Sequence, residues 1–319
     1  MTETRSPAVR RSTGIPRTRG WGVALAFGTA GISGVAVFLN ADGVRAFGDA
    51  TLYTTVKNLV AAVLLVGLAG LATLRRSPAA PVRPRRPAEW AGLAAVAVIG
   101  GSVPFVLFFE GLARASSTDA AFLHKTLLVW VALLAVPLLG ERLGPAHIGA
   151  IALLVWGQAA LGGGVDGLRP GGGETLILLA TLLWAVEVVV AKRLLASLPP
   201  LTVGLARMGL GVLLLLGWAA VSGRAGQLAS LDGEQWTWAL VTGALLAGYV
   251  ATWYAALARA YAVDVTAVLV FGAVVTALLD AAVDGKALAP QGLGVVLVTV
   301  GVLLAAAASV RRTRSPAPG

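Results

Sequence analysis

The amino-acid sequence predicts an all-α integral membrane protein, with ten transmembrane helices arranged as two inverted five-helix repeats and both termini in the cytoplasm. Three observations predict it. Hydrophobic residues make up 57% of the 319-residue chain and charged residues only 13%, against about 45–50% and about 25% in soluble domains. Ten apolar runs approach the roughly 20 residues that a bilayer core requires of a helix. The second half of the chain also repeats the first.

The runs follow one another with loops too short for a soluble domain. Span 1, Trp21–Leu39, comes after a basic arm, residues 1–20, and no small-x-small cleavage site follows it, so it reads as a retained span. Span 2, Thr51–Leu74, is separated from span 3, Trp90–Leu112, by the Pro/Arg-rich loop Arg75–Pro87. Span 4, Thr118–Leu139, and span 5, Ala146–Gly163, complete the first repeat, 21–163. A glycine-rich linker, 164–173, leads to span 6, Glu174–Ala196, span 7, Leu201–Val221, span 8, Trp236–Leu257, span 9, Val263–Val283, and span 10, Pro290–Val310. These make the second repeat, 174–310, before a basic tail, 311–319. Trp21, Trp90 and Trp236 stand at span ends, where interfacial tryptophans anchor helices.

Charge sets the orientation. With the N-terminus inside, seventeen Lys and Arg fall on cytoplasmic segments and five on outer ones. That bias places both termini in the cytoplasm and the 164–173 linker outside. The net charge of +10 thus reads as a topology signal and not as a nucleic-acid footprint. The absence of cysteine excludes disulfides, thiolate metal sites and a Cys nucleophile. With only His124 and His147 a histidine-rich metal centre is excluded, and no cofactor is expected. The glycines 162–164 and 171–173 lack the Gly-Lys-Ser/Thr ending of a phosphate loop, so nothing suggests ATP-driven work.

A shift of 145 residues lays Leu112–Gly149 on Leu257–Gly294 without a gap, with thirteen of 38 positions identical. The matches include Leu-Ala-Arg-Ala (112–115 on 257–260), Asp119 with Asp264, and Gly140, Leu143, Pro145 and Gly149 with Gly285, Leu288, Pro290 and Gly294. Upstream the shift becomes 150, and Lys57 falls on Arg207. Five spans per copy force the second copy to enter the membrane upside down. Inverted repeats put a binding site near the midplane at their interface, which suits alternating access.

Two stretches carry a family resemblance. Ala-Val-Pro-Leu-Leu-Gly-Glu-Arg-Leu-Gly-Pro (135–145), followed by His-Ile-Gly-Ala-Ile-Ala-Leu-Leu-Val-Trp-Gly (147–157), resembles the end of an EamA domain. Trp184 with Ala191-Lys192-Arg193 resembles the first helix of a second copy, and Arg207 its second-helix arginine. EamA domains belong to the drug/metabolite transporter superfamily. The resemblance implies a secondary transporter of a small organic metabolite or drug-like solute in the cytoplasmic membrane, working as an exporter, with spans 1, 3, 4, 6, 8 and 9 lining a central cavity. The chain departs from the pattern in places. Lys57 stands where the first copy usually has Arg, Lys286 where Glu141 sits in the first copy, and Leu127 and Gly272 where a proline is common.

Ionisable residues inside a span cost about 2.5–3.5 kcal/mol each on insertion scales and are functional candidates. Lys57 lies about 10 Å into span 2 at 1.5 Å per residue. Lys125, with His124 beside it, lies at similar depth in span 4. Adjacent helical residues point about 100° apart, so only one of these two is expected to face a cavity squarely. Glu187 and Arg207 share a depth on consecutive spans and are expected to form an ion pair, while Asp280 and Asp284 are the nearest acidic candidates for the two lysines. Unpaired lysines would suit a carboxylate or phosphate on the substrate. Glu187 or His124 would serve if transport is coupled to protons, and exchange against a counter-substrate fits equally well. Phe105 and Phe109, and Tyr249 and Trp253, are one turn apart, and Tyr254 aligns with Phe109 in the repeat. With Trp184, these aromatics could stack on a substrate. Gly28, Gly31 and Gly34 would let a neighbouring helix approach span 1 closely. The expected partners are thus a small-molecule substrate and the lipid bilayer, with a homodimer left open. A membrane-embedded enzyme acting on lipids would need a nucleophile with a base, a metal set or paired catalytic carboxylates. The two histidines are far apart, and Asp280 and Asp284 form only one pair near a membrane face. A lipid scramblase or channel remains as an alternative within transport.

Overall fold

The computed structural model describes residues 16–112, 114–115, 123–161, 171–283, 285 and 292–311. Among them there are only helices. Eight are long and apolar enough to cross a membrane: α1 (Gly20–Phe47), α2 (Ala50–Leu74), α3 (Pro87–Gly111), α6 (Gly172–Leu194), α7 (Pro200–Val221), α8 (Gly233–Leu257), α9 (Ala262–Val283) and α10 (Gly292–Arg311). Two shorter apolar helices complete the set, α4 (Leu123–Leu139) and α5 (Pro145–Ala160). Asp119, the glycines 162–164, Asp284, Lys286 and Pro290 lie outside the described residues.

The first helix runs eight residues past the Leu39 boundary expected from hydropathy. Asp42 and Arg45 ended the apolar run without ending the helix: Arg45 Nη2 donates to Asp42 Oδ1 at 2.5 Å on the helix surface. Gly43 lies under the Tyr53 ring, where a Cβ would come within 2.6 Å of it, and Tyr53 donates to Asn40 Oδ1 at 2.6 Å. The tip of α1 is therefore folded back on α2. The Asp49 side chain caps α2 by accepting from Leu52 N at 2.9 Å and receives Arg224 Nε at 2.6 Å. Burial alone would raise the Asp49 pKa, but the Arg224 bond and the backbone N–H groups hold it below the usual aspartate value.

The packing repeats the internal symmetry. α1 packs on α8 and α9, and its repeat partner α6 packs on α3 and α4. α2 meets α8 as α7 meets α3, and α5 packs on α10. Gly140 and Gly285, one repeat length apart, adopt the left-handed conformation at φ +67° and +66°, which ends α4 and turns the chain after α9. Close crossings use small residues, because within lipid close van der Waals contact drives helix association. A Cβ on Gly34 would sit 2.5 Å from Val275 Cβ, and one on Gly101 only 2.0 Å from the Arg207 carbonyl oxygen. Gly28 and Gly31 have nothing within 4 Å, so of the three span 1 glycines only Gly34 makes the close approach expected of all three. The expected anchors Trp21, Trp90 and Trp236 are exposed at their helix ends.

Four helices are interrupted, three of them near mid-length and α4 near its start. α3 breaks at Gly100–Ser102 between Pro87–Ile99 and Val103–Leu112. α7 contains a π-helical turn, Ala206–Leu210. α4 turns at Thr126, whose hydroxyl takes the Leu123 carbonyl at 2.6 Å, and α9 turns at Val270–Phe271. The α4 and α9 breaks fall at equivalent repeat positions, although Leu127 and Gly272 replace the usual proline.

One end of the bundle is tied by polar contacts. Glu141, after α4, accepts Ala262 N at 2.6 Å and Val263 N at 3.1 Å, and so caps α9 from outside the helix. Burial pushes the Glu141 pKa up, and those two N–H groups pull against the rise. Lys192 donates to the carbonyls of Leu257 and Ala260, and Arg193 to Leu138 O at 2.8 Å. Asp264 receives the Ser309 hydroxyl at 2.5 Å and lies 3.1 Å from His147 Nε2.

Candidate functional site

Between the repeats lies a cavity of about 210 Å³. The helical spacing Ser33, Val37, Asn40 turns one face of α1 toward it. Nine of the ten predicted site residues line it: Lys57, Phe109, His124, Lys125, Trp184, Glu187, Arg207, Tyr249 and Trp253. The lining also draws on more helices than the resemblance implied, since α2 contributes Lys57 and α7 contributes Arg207. α5 and α10 contribute nothing to it.

The interrupted helices turn polar groups toward this space. The α3 break frees the Gly100 carbonyl, which accepts Trp184 Nε1 at 3.2 Å. Trp184 in turn packs edge-on against Phe105, at 5.5 Å between centroids, and against His124 at 5.0 Å. Phe108 bridges His124 and Phe109 at 5.3 and 5.4 Å. The π turn carries Arg207, and π turns recur at functional sites. His124 and Lys125 both line the cavity, where regular helix gives way at the very next residue, Thr126. Opposite, Tyr249 and Trp253 stack with rings 5.9 Å apart and 11° from parallel.

Electrostatics depart from expectation in two respects. Glu187 and Arg207 form no ion pair within 4.0 Å. Glu187 instead accepts the Tyr254 hydroxyl at 2.6 Å, and Arg207 Nε has no hydrogen-bond partner. Tyr254 is therefore fully buried behind the cavity wall as the anchor of Glu187, and is not a lining aromatic. Nor does either lysine pair with Asp280, while Asp284 lies outside the described residues. Lys57 Nζ is 3.4 Å from Asn40 Oδ1 and sits over the rings of Tyr53 and Phe109 at 4.8 and 5.5 Å. Such cation–π contacts give about 0.5–2 kcal/mol each, which partly replaces a counter-ion. Lys125 has no hydrogen bond or ion pair among the described residues. Tyr254→Phe is expected to leave a buried carboxylate oxygen without its donor. That loss costs about 1–3 kcal/mol, read as a fall in the melting temperature of purified protein.

Sequence reading missed Asn40, Phe108 and Thr242, all on the lining. The i, i+3, i+4 spacing of Phe105, Phe108 and Phe109 could have revealed the second of these. Asn40 and Thr242 carried no such signal, because a neutral polar residue in an apolar run is common. The polar tie at the Glu141 end was missed as well. There Asp264 stands between Ser309 and His147, so the serine faces a carboxylate and not a histidine base, and the group reads as a structural clasp.

A model of the EamA-like transporter family matches residues 20–162 and again residues 171–307. A solved structure titled only "Crystal structure of protein" superposes with a TM-score of 0.72 at 17% identity, covering 90% of this chain and 98% of that one. A search of curated proteins finds no match.

Proposed function

The chain belongs to the EamA-like transporter family of multi-pass membrane proteins, and from that premise we propose that it is a secondary carrier that moves a small organic solute across the cytoplasmic membrane by alternating access. The supporting observation is the cavity itself. It lies between two repeats whose contacts exchange in pairs, and it holds charged groups at membrane depth. In this reading α1–α10 all cross the bilayer, both termini are cytoplasmic, and the second repeat is inverted. The basic arm and tail then lie inside and the 164–173 linker outside.

Under that orientation the tied Glu141 end is cytoplasmic. The α2, α3 and α4 residues of the lining, Lys57, Phe105 to Phe109, and His124 with Lys125, come from the outer halves of their spans. Glu187, Arg207, Tyr249 and Trp253 come from the inner halves of theirs, so the cavity sits near the midplane, and it is the polar ties at the Glu141 end that support an outward-facing state with the cytoplasmic end closed. Export rests on the family resemblance. The carrier needs no cofactor, and the Ser309–Asp264–His147 order gives no support to a hydrolytic reading.

The chain contains no cysteine, so single-cysteine labelling has no background. Ser33→Cys is expected to react with a membrane-impermeant maleimide added outside right-side-out vesicles, and not from the cytoplasmic face. Reaction from the cytoplasmic face alone would reverse the orientation.

A further inference from the structure

The carrier reading leaves the substrate open, and the charge and size of the cavity narrow it. We infer that the cavity binds a small monocyclic aromatic carboxylate lacking an amino group, with the ring on the aromatic wall and the carboxylate at Lys57 or Lys125, the lysines at the two ends of that wall. This inference rests on the proposed carrier function and deepens it.

Charge comes first. Three basic side chains line the cavity, Lys57, Lys125 and Arg207, against a single carboxylate, Glu187. Glu187 already accepts the Tyr254 hydroxyl on Oε1, and it is outnumbered by the basic groups around it. Lys57 is 4% exposed and has only a long contact to Asn40 and two ring faces in place of an anion. Lys125 has neither hydrogen bond nor ion pair among the described residues. Two buried ammonium groups without a carboxylate are costly in a membrane protein, and a bound anion would offset that cost. An amino acid would bring its own cation into the same space and lose the advantage.

The wall and the volume decide the rest. From Lys57 the ring contacts run without interruption through Phe109 and Phe108 to His124, next to Lys125. A ring laid on that wall keeps a short acidic side chain within reach of the lysine at one end. A cavity of roughly 150 Å³ holds a benzene, and drug-sized sites begin at roughly 300 Å³. At about 210 Å³ this one admits a single ring with a short charged tail.

The test compares ligands on the unaltered protein, so that folding of variants does not enter. Titration calorimetry on purified protein is expected to give 3-phenylpropanoate an affinity at least tenfold above 3-phenylpropanamide, phenylalanine, hexanoate and phenyl phosphate. Equal affinity for the amide removes the lysines from recognition, equal affinity for phenylalanine removes the exclusion of ammonium, and equal affinity for hexanoate removes the ring. Tighter phenyl phosphate transfers the site to phosphates, and no binding by any probe overturns the inference. Of Lys57→Gln and Lys125→Gln, each checked for an unchanged melting temperature, one is expected to weaken 3-phenylpropanoate at least tenfold, and unchanged affinity in both overturns the inference. Counterflow in proteoliposomes separates the two levels. Binding without counterflow above protein-free vesicles keeps the anion site and sinks the carrier. Counterflow of phenylalanine but not of 3-phenylpropanoate keeps the carrier and sinks the anion.

Discussion

Gly101→Ala is expected to destabilise the protein by about 3 kcal/mol, the upper end of the usual overpacking range. A Cβ there would lie 2.0 Å from the Arg207 carbonyl oxygen and 2.9 Å from that of Ala97, both backbone atoms that cannot rotate aside. Gly211, across the crossing, is equally confined by the backbone of Gly101 at 2.8 Å. The methyl must push α3 and the π turn of α7 apart, and Arg207 would leave its place in the cavity with them. Gly209→Ala is the matched control, because it lies in the same π turn and a Cβ there meets nothing within 4 Å. Melting of the two purified variants should show a large fall for position 101 and little change for position 209. Equal melting temperatures would mean that the crossing is looser than its distances imply.

The second large effect is expected at Glu141. Its carboxylate satisfies the N–H groups of Ala262 and Val263 at the start of α9. In Glu141→Ala both buried donors lose their acceptor, at about 1–3 kcal/mol each. If the clasp forms only in the outward-facing state, that energy is taken from one side of the transport equilibrium. Every 1.4 kcal/mol is tenfold in population, so the inward-facing share should rise at least tenfold. The reporter is Thr266→Cys, which is 2% exposed one turn into α9. It should react faster with a maleimide from the cytoplasmic face in the Glu141→Ala background, and Glu141→Gln should fall between the two. A lower melting temperature without faster labelling would make Glu141 a static cap.

Much of this architecture is legible in the sequence because the bilayer enforces it. A long apolar run has few alternatives to a helix, and the 145-residue shift already paired the positions that become the left-handed glycines 140 and 285. Site residues were legible for a related reason: Lys57, Lys125, Glu187 and Arg207 are conspicuous where charge is expensive. Their partners were not. Depth along a helix gives no azimuth, so Glu187 and Arg207 matched in depth while Tyr254 took the bond. The breaks were equally hidden. Thr126 and Val270–Phe271 interrupt their helices without proline, and the π turn at Ala206–Leu210 has no sequence marker. The outer end of α1 was lost for the opposite reason, because Asp42 and Arg45 looked like a loop when read by hydropathy alone.

The packing of α5 on α10 bears on how the protein is made. Gly157 of α5 crosses so close to Val298 that a Cβ would lie 2.7 Å from its side chain, and Gly301 of α10 receives Leu154. The partner of α5 therefore leaves the ribosome more than a hundred residues later. At about 5–20 residues per second that interval is on the order of ten seconds. Throughout it the small-residue face of α5 meets only lipid or the insertion machinery. The nascent first repeat is a waiting intermediate, and the α5 crossing closes only when α10 arrives.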